Sequence, residues 1–209
     1  MNGFHKNMMV GAIAASMLLA ASAANANLIT NGGFEDPALE EDGWGYFYAS
    51  DVDGWSGSNV EIWRNHDGRY AYEGDQFAEL NSHPNPGEDY HNFTLYQQFS
   101  TTAGNWYDFS FAYKARNDDS ESFRFEIGND SSYLGSLIND HTTSEWSVHQ
   151  GKFQAYSDLS TIWFRSETKG TEGNFLDDVS VTAHVPEPGT LALLGLGLAG
   201  LATRRRRAQ

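Results

Sequence analysis

The sequence predicts an all-β protein, an antiparallel β-sandwich of the jelly-roll kind, with a signal helix at its N-terminus and a short apolar helix at its C-terminus. Three observations carry the prediction. From residue 27 to residue 185, short aromatic and β-branched segments alternate with polar turns, and no long stretch repeats apolar residues at i, i+3 and i+4. The stretch "WYDFSFAYKA" alternates strictly: Tyr107, Phe109, Phe111 and Tyr113 share one face, and Trp106, Asp108, Ser110 and Ala112 the other. About nine segments of this kind fall within one domain's length of chain, a number that suits two packed sheets.

In chain order, strands are expected over residues 60–64, 77–81, 93–100, 106–114, 122–127, 133–137, 146–154, 161–166 and 174–183. "SFRFEIG" repeats the half-buried alternation through Phe123, Phe125 and Ile127. The segment "NSHPNPGEDYHN", residues 81–92, is the longest breaker-rich stretch and belongs on the surface. Residues 117–120 form a polar turn between two central strands. Trp55, Phe99, Trp106, Phe109, Phe111 and Trp163 are expected in the core, where most aromatic side chains of a sandwich lie.

Both ends differ from this body. His5 and Lys6 precede an apolar run from Met8 to Ala21, and Ala24-Asn25-Ala26 offers a small-x-small cleavage site. That is the pattern of a secretory signal peptide over residues 1–26, exported through the Sec route. At the other end, "VPEPGTLALLGLGLAGLATRRRRAQ" opens on Pro186, Glu187 and Pro188, which interrupt regular structure. Thr190 to Thr203 carries no charge. A helix over 189–203 would nevertheless span only about 22 Å of a roughly 30 Å hydrocarbon core. Arg204, Arg205, Arg206 and Arg207 then stay on the cytoplasmic side. Together these features describe a transient stop in the inner membrane, with the body outside the cytoplasm.

In its order of Pro-Glu-Pro, apolar run and basic cluster, the segment 186–209 resembles the PEP-CTERM sorting signal of Gram-negative bacteria. The resemblance implies recognition by an integral-membrane cysteine peptidase of the exosortase type, with cleavage near Pro186 to Pro188. It also implies release toward the cell surface in organisms that make exopolysaccharide.

The chain has 13 basic and 28 acidic residues. Lys6 leaves with the first segment, and Glu187 with the four arginines leaves with the last. The body 27–185 therefore keeps 8 basic and 27 acidic residues, a net charge of −19. Such a body avoids nucleic acid and anionic lipid and accepts calcium readily. Without cysteine it has neither disulfides nor thiol chemistry. It carries no Gly-x-Ser-x-Gly elbow and no phosphate-cradling glycine loop. His66, His83, His91, His141 and His149 lie in separate segments with no metal-ligand spacing that stands out. The expectation is a protein that is not an enzyme.

Within the body, "NLITNGGFEDP" (27–37), "GWSGSNVEIW" (54–63), "YEGDQFAEL" (72–80), "LYQQFST" (95–101), "GNWYDFSFAYKAR" (104–116) and "NFLDDVSV" (174–181) follow one another. In that order they resemble the galactose-binding-like jelly-roll superfamily, in particular carbohydrate-binding modules and choice-of-anchor domains. The resemblance implies a structural calcium ion with ligands from the first strand, an early loop and the last strand. On this sequence those are Glu35, Glu73 in the loop "YEGDQ", and Asp177 or Asp178, with Asp178 favoured by the family pattern. Strict alternation places Phe175, Asp177 and Val179 on one face and Leu176, Asp178 and Ser180 on the other. It leaves open which carboxylate points inward.

Sugar recognition sets an exposed aromatic ring against the apolar face of a pyranose while polar side chains hold the hydroxyls. Trp44 and Tyr46 in "GWGYFYASD", Trp63 with Arg64, and Tyr90 are the candidate contacts. Trp44, Tyr46 and Trp63 suit a core position equally well. The expected protein is exported and bound to the cell surface or exopolysaccharide, where a calcium-stabilised jelly roll holds glycan. A structural matrix protein without a sugar pocket and a small glycan hydrolase on the same fold are the alternatives.

Overall fold

Alternating side chains give each strand one apolar face, and the chain buries those faces between two antiparallel sheets. The computed structural model describes residues 26–83, 93–129 and 132–185. Within them lie β1 (Gly43–Phe47), β2 (Ser56–Gly57), β3 (Val60–Arg64), β4 (Gln76–Glu79), β5 (Thr94–Ser100) and β6 (Trp106–Lys114). They are followed by β7 (Phe123–Asn129), β8 (Ser132–Ile138), β9 (Ser147–Gln154), β10 (Leu159–Ser166) and β11 (Phe175–Ala183). One sheet runs β1-β3-β4-β11-β6-β9 and the other β2-β5-β10-β7-β8. The two expected terminal helices lie outside the described residues, as do Tyr90 and the sorting signal from Pro186 to Arg207. No helix among the described residues is long and apolar enough to cross a membrane.

Aromatic rings dominate the interior. Phe109 and Phe111 of β6 each lie 4.9 Å from Phe125 of β7, and Phe111 lies 5.0 Å from Phe164 of β10. These contacts join the two sheets face to face, with Ile62, Ile127, Ile162, Leu176 and Val181 filling the gaps. A smaller apolar cluster forms on the opposite face of the six-stranded sheet, where Trp63, Phe77 and Phe175 pack with Trp146. Phe77 and Phe175 stand edge to face at 4.9 Å.

Three expectations need correction. Trp106 is not in the core; it is 50% exposed, because it shares its strand face with Asp108 and Ser110. Trp163 is only half-buried, since it faces outward beside Tyr96 and Glu126, its partners on β5 and β7. The even alternation expected through the last strand also fails. Asp177 pairs with Ala112 and Ser180 with Ser110, so Asp178 and Val179 together face Phe111. Asp178 takes a left-handed conformation, φ 45°, and the strand bulges there. Both Leu176 and Val179 consequently reach the main core.

The start of the chain runs beside this bulged strand. Leu28 N–H donates to Val181 O at 2.8 Å, and Val179 N–H donates to Gly32 O at 2.9 Å. A Cβ on Gly32 would collide with Val179 O, so a larger residue there would push the two segments apart.

Candidate functional site

The outer face of the six-stranded sheet carries a pocket at its β1 edge. Antiparallel register sets Trp44 opposite Trp63 and Tyr46 opposite Glu61, and Glu61 opposite Glu79. All five side chains therefore share one face. Trp44 and Tyr46, on the edge strand, stay 46% and 57% exposed, whereas Trp63 is only 4% exposed. The Trp44 and Trp63 rings lie 6.0 Å apart, and His66, from the turn after β3, sits 5.3 Å from Trp63. Tyr46 lies 5.4 Å from His83. Trp44, Trp63, His66 and His83 wall a pocket of about 250 Å³, with Glu61, Arg116 and Glu172 among its polar lining and Tyr46 beside it on His83.

The floor of the pocket is charged. Arg116 Nη1 donates to both oxygens of Glu79, at 2.9 and 2.7 Å, and the Arg116 guanidinium lies 4.8 Å from the centre of the Trp63 ring. Gly173 N–H donates to Glu79 Oε1 at 2.7 Å. Burial pushes the Glu79 carboxyl well up, and the Arg116 charge opposes it. Burial also raises Glu61, again against Arg116, and Glu61 hydrogen-bonds both Glu79 and His83. Two carboxyls in hydrogen-bond contact share a proton more readily than separate ones. The indole Nε1 of Trp63 is buried with no hydrogen-bond partner among the described residues.

Of the expected glycan contacts, Trp44, Tyr46 and Trp63 are brought together. Arg64 is not among them: it donates to Leu39 O at 2.6 Å and pairs with Glu41 and Asp75, tying two loops to the end of β3. The pocket also draws on Glu61, Glu79, Arg116 and Glu172, which sequence reasoning passed over. They come from separate segments, Arg116 lying 37 residues from Glu79 and 56 from Glu172, and only the strand order β3-β4-β11-β6 makes them neighbours.

Glu35, Glu73, Asp177 and Asp178 lie around the loop of residues 72–76, where the opening segment meets the bulge in β11. Glu35 Oε1 accepts the N–H groups of Asp75 and Gln76 at 2.7 and 3.0 Å. Asp177 Oδ2 accepts those of Tyr72 and Glu73 at 2.8 and 3.1 Å, and its Oδ1 accepts Asp178 N–H at 2.7 Å. Burial pushes the Asp177 carboxyl up to about 7, against three backbone N–H donors. Asp178 rises to about 6 through burial and through the adjoining Glu73 carboxylate, with which it hydrogen-bonds. Among the described residues no three acidic or histidine side chains converge as a ready metal site. Asp177 spends both oxygens, and Glu35 its Oε1, on backbone N–H groups, whereas Glu73 and Asp178 face each other. Neither pairs with an arginine or lysine among the described residues.

Residues 184–207 match the model of the PEP-CTERM protein-sorting motif. The chain carries a PEP-CTERM sorting motif. Such a motif implies exosortase-dependent sorting toward the cell surface. The sandwich ahead of the motif is similar in structure to a family 61 carbohydrate-binding module solved with β-1,4-galactotriose. The TM-score is 0.50 at 14% identity, over 76% of this chain and 99% of that one. It is similar also to a family 16 carbohydrate-binding module, with TM-score 0.50 at 15% identity over 75% and 99% of the two chains. At these identities the likeness is one of fold. A search among curated proteins gives no match.

Proposed function

We propose that the protein is an exported, non-enzymatic adhesin of a Gram-negative cell surface or exopolysaccharide matrix, and that it holds glycan in the pocket at Trp44 and Trp63, beside Tyr46. The observation that carries this reading is the half-exposed Trp44 ring lining a polar pocket, with the exposed Tyr46 ring beside it against His83. Exposed rings supply flat faces for the C–H faces of a pyranose, while Arg116, Glu172 and His83 supply hydrogen-bonding groups for its hydroxyls. With Glu61, Asp67 and Glu172 at its rim and Arg116 already engaged by Glu79, the pocket favours a neutral sugar over a uronate.

Several features support the rest of the proposal. Glu61 and Glu79 touch each other, whereas glycoside hydrolysis needs carboxyls roughly 5–10 Å apart with the sugar between them. This favours binding over turnover. Calcium at Glu73 and Asp178, with Glu35 and Asp177 shaping the loop, would relieve the carboxylate crowding there and pin the opening segment to β11. The mature body would span residues 27–185 once the signal peptide and the sorting segment are removed.

Retention of the purified protein in gels loaded with the producing bacterium's exopolysaccharide, together with a glycan array, tests the binding. Trp44→Ala/Tyr46→Ala is expected to abolish retention at the pocket while leaving the melting temperature unchanged, since both rings are exposed. Unaltered binding by a correctly folded double variant would remove this pocket from consideration.

A further inference from the structure

A second group of exposed aromatic side chains lies at the opposite edge of the sandwich. Trp106 opens β6, Tyr133 belongs to β8, and Tyr156 follows β9; they are 50%, 63% and 66% exposed. All three line a single pocket of about 260 Å³, close in size to the pocket at Trp44, together with Ser132, Lys152 and Gln154. Residues of both sheets contribute. Because β9 ends the six-stranded sheet and β8 ends the five-stranded one, the pocket sits where the sandwich is open along its side.

Local backbone chemistry shapes this place. Gly128, at φ +144°, pairs with Tyr133 across the β7–β8 ladder. A Cβ on it would collide with Ser132 O and lie 2.7 Å from Tyr133 Cα, so glycine is what lets the strands approach there. Trp106 pairs with Gln154 across β6 and β9, which puts an amide beside an indole on one face. Lys152, one pair further along the same face, lies 3.2 Å from His184 Nε2. Three large rings from separate parts of the chain remain half or more exposed around one pocket, and concentrated apolar surface rimmed by polar groups marks a binding surface.

We propose that this pocket is a second glycan-binding site, so that one domain holds two polysaccharide strands. The lining has what a pyranose chain requires: aromatic faces, an amide, a hydroxyl and an ammonium group. Among the described residues no carboxylate lines it, in contrast to the pocket at Trp44, although Lys152 pairs with Asp108 beside it at 3.8 Å. It therefore accepts a neutral sugar or a uronate. The two pockets draw on the two edge strands of the six-stranded sheet, the first on Trp44 of β1 and the second on Lys152 and Gln154 of β9. Two sites so placed engage separate chains or distant stretches of one chain. That turns a binding module into a cross-linker whose retention exceeds that of either site alone. The assignment shares its ligand class with the proposed function but stands on different residues.

Soluble exopolysaccharide from the producing bacterium serves as the probe, with two readouts on the purified protein. Gel retardation reports binding, and light scattering reports cross-linking of the polymer. Trp106→Ala/Tyr133→Ala/Tyr156→Ala and Trp44→Ala/Tyr46→Ala are compared with the unaltered protein and with all five changes combined. Two sites predict that each set reduces retardation tenfold or more, that each alone abolishes the scattering increase, and that the combination abolishes retardation. If the Trp106 set retards and cross-links like the unaltered protein, the second site is refuted and the pocket at Trp44 stands. If only the Trp106 set loses retardation, the second site stands and the Trp44 pocket falls. Absence of retardation in the unaltered protein refutes both.

Discussion

Replacing Arg116 with methionine tests the electrostatics at the floor of the Trp44 pocket. Glu79 is completely buried and accepts hydrogen bonds from Arg116 Nη1 and from Gly173 N–H. Removing one partner of a buried ion pair costs about 3–5 kcal/mol, because the remaining charge is stranded. Burial already raises the Glu79 carboxyl, and loss of Arg116 removes the main opposing influence. The variant can therefore escape the cost by binding a proton. A carboxyl whose folded value lies above its unfolded one contributes stability that is present below the unfolded value and is lost as pH rises through the folded value. The deficit of the variant should thus be small at pH 5, about 1 kcal/mol for a neutral hydrogen bond lost. It should reach the full 3–5 kcal/mol at pH 8. For a domain of this size, roughly 2–4 °C per kcal/mol converts these values into a melting-temperature drop of about 2–4 °C at pH 5 and about 6–20 °C at pH 8. Calorimetry at the two pH values measures it. Glu79→Gln combined with Arg116→Met leaves no charge at this pair, and its deficit should vary with pH less than that of Arg116→Met alone, the remainder coming from buried Glu61, which Arg116 also opposes. An equal drop for the single variant at pH 5 and pH 8 would show that Arg116 acts by packing on Trp63 and that the charge of Glu79 is irrelevant.

Calcium at about 100 times its dissociation constant should stabilise the protein by about 2.7 kcal/mol, roughly 5–11 °C, and Glu73→Gln or Asp178→Asn should remove the response. A melting temperature indifferent to added calcium and to chelator would dismiss the ion. Gly74 has φ +67°, and a Cβ there would run into the Glu35 carboxylate. Gly74→Ala should accordingly lower stability by about 1–3 kcal/mol in urea unfolding and weaken any calcium response. Asn81 is fully buried, donates to Thr168 O and Gly170 O, and accepts from Ser166 Oγ. Asn81→Ala should cost about 3 kcal/mol by leaving these groups unpaired, measured as a fall in the urea midpoint. Mass spectrometry of protein from the producing cells should find chains that begin near Asn27 and end near Pro186 to Pro188; chains keeping both ends would contradict the export account.

Much of the sandwich was legible because a strand buried on one face writes its period into the sequence. β3 and β6 lie where the alternation of "VEIWR" and "WYDFSFAYK" puts them. β1 was missed because "GWGYF" places glycine where a strand usually carries a branched side chain, and it survives as an edge strand held by β3. The misplaced tryptophans are more instructive. Trp106 shares its parity with Asp108 and Ser110, and Trp163 with Thr161 and Arg165. In both strands the polar companions already pointed outward, and ring size was given weight that belonged to parity.

The two candidate sites differ in legibility for a physical reason. The cluster of Glu35, Glu73, Asp177 and Asp178 was visible because it joins the opening segment, one loop and the closing strand. Yet the division of labour within it was hidden, since it depends on a bulge that alternation cannot foresee. Once Asp178 turns left-handed, Asp177 is free to hold the Tyr72 and Glu73 amides, and Asp178 is left facing the Glu73 carboxylate. The Trp44 pocket showed only its rings in the sequence. Its charges enter from β3, β4 and the ends of β6 and β11, and nothing local to Arg116 reveals that the crossover of β11 between β4 and β6 will carry it to Glu79. Side chains that act through one strand leave a periodic trace; those that act through strand order leave none.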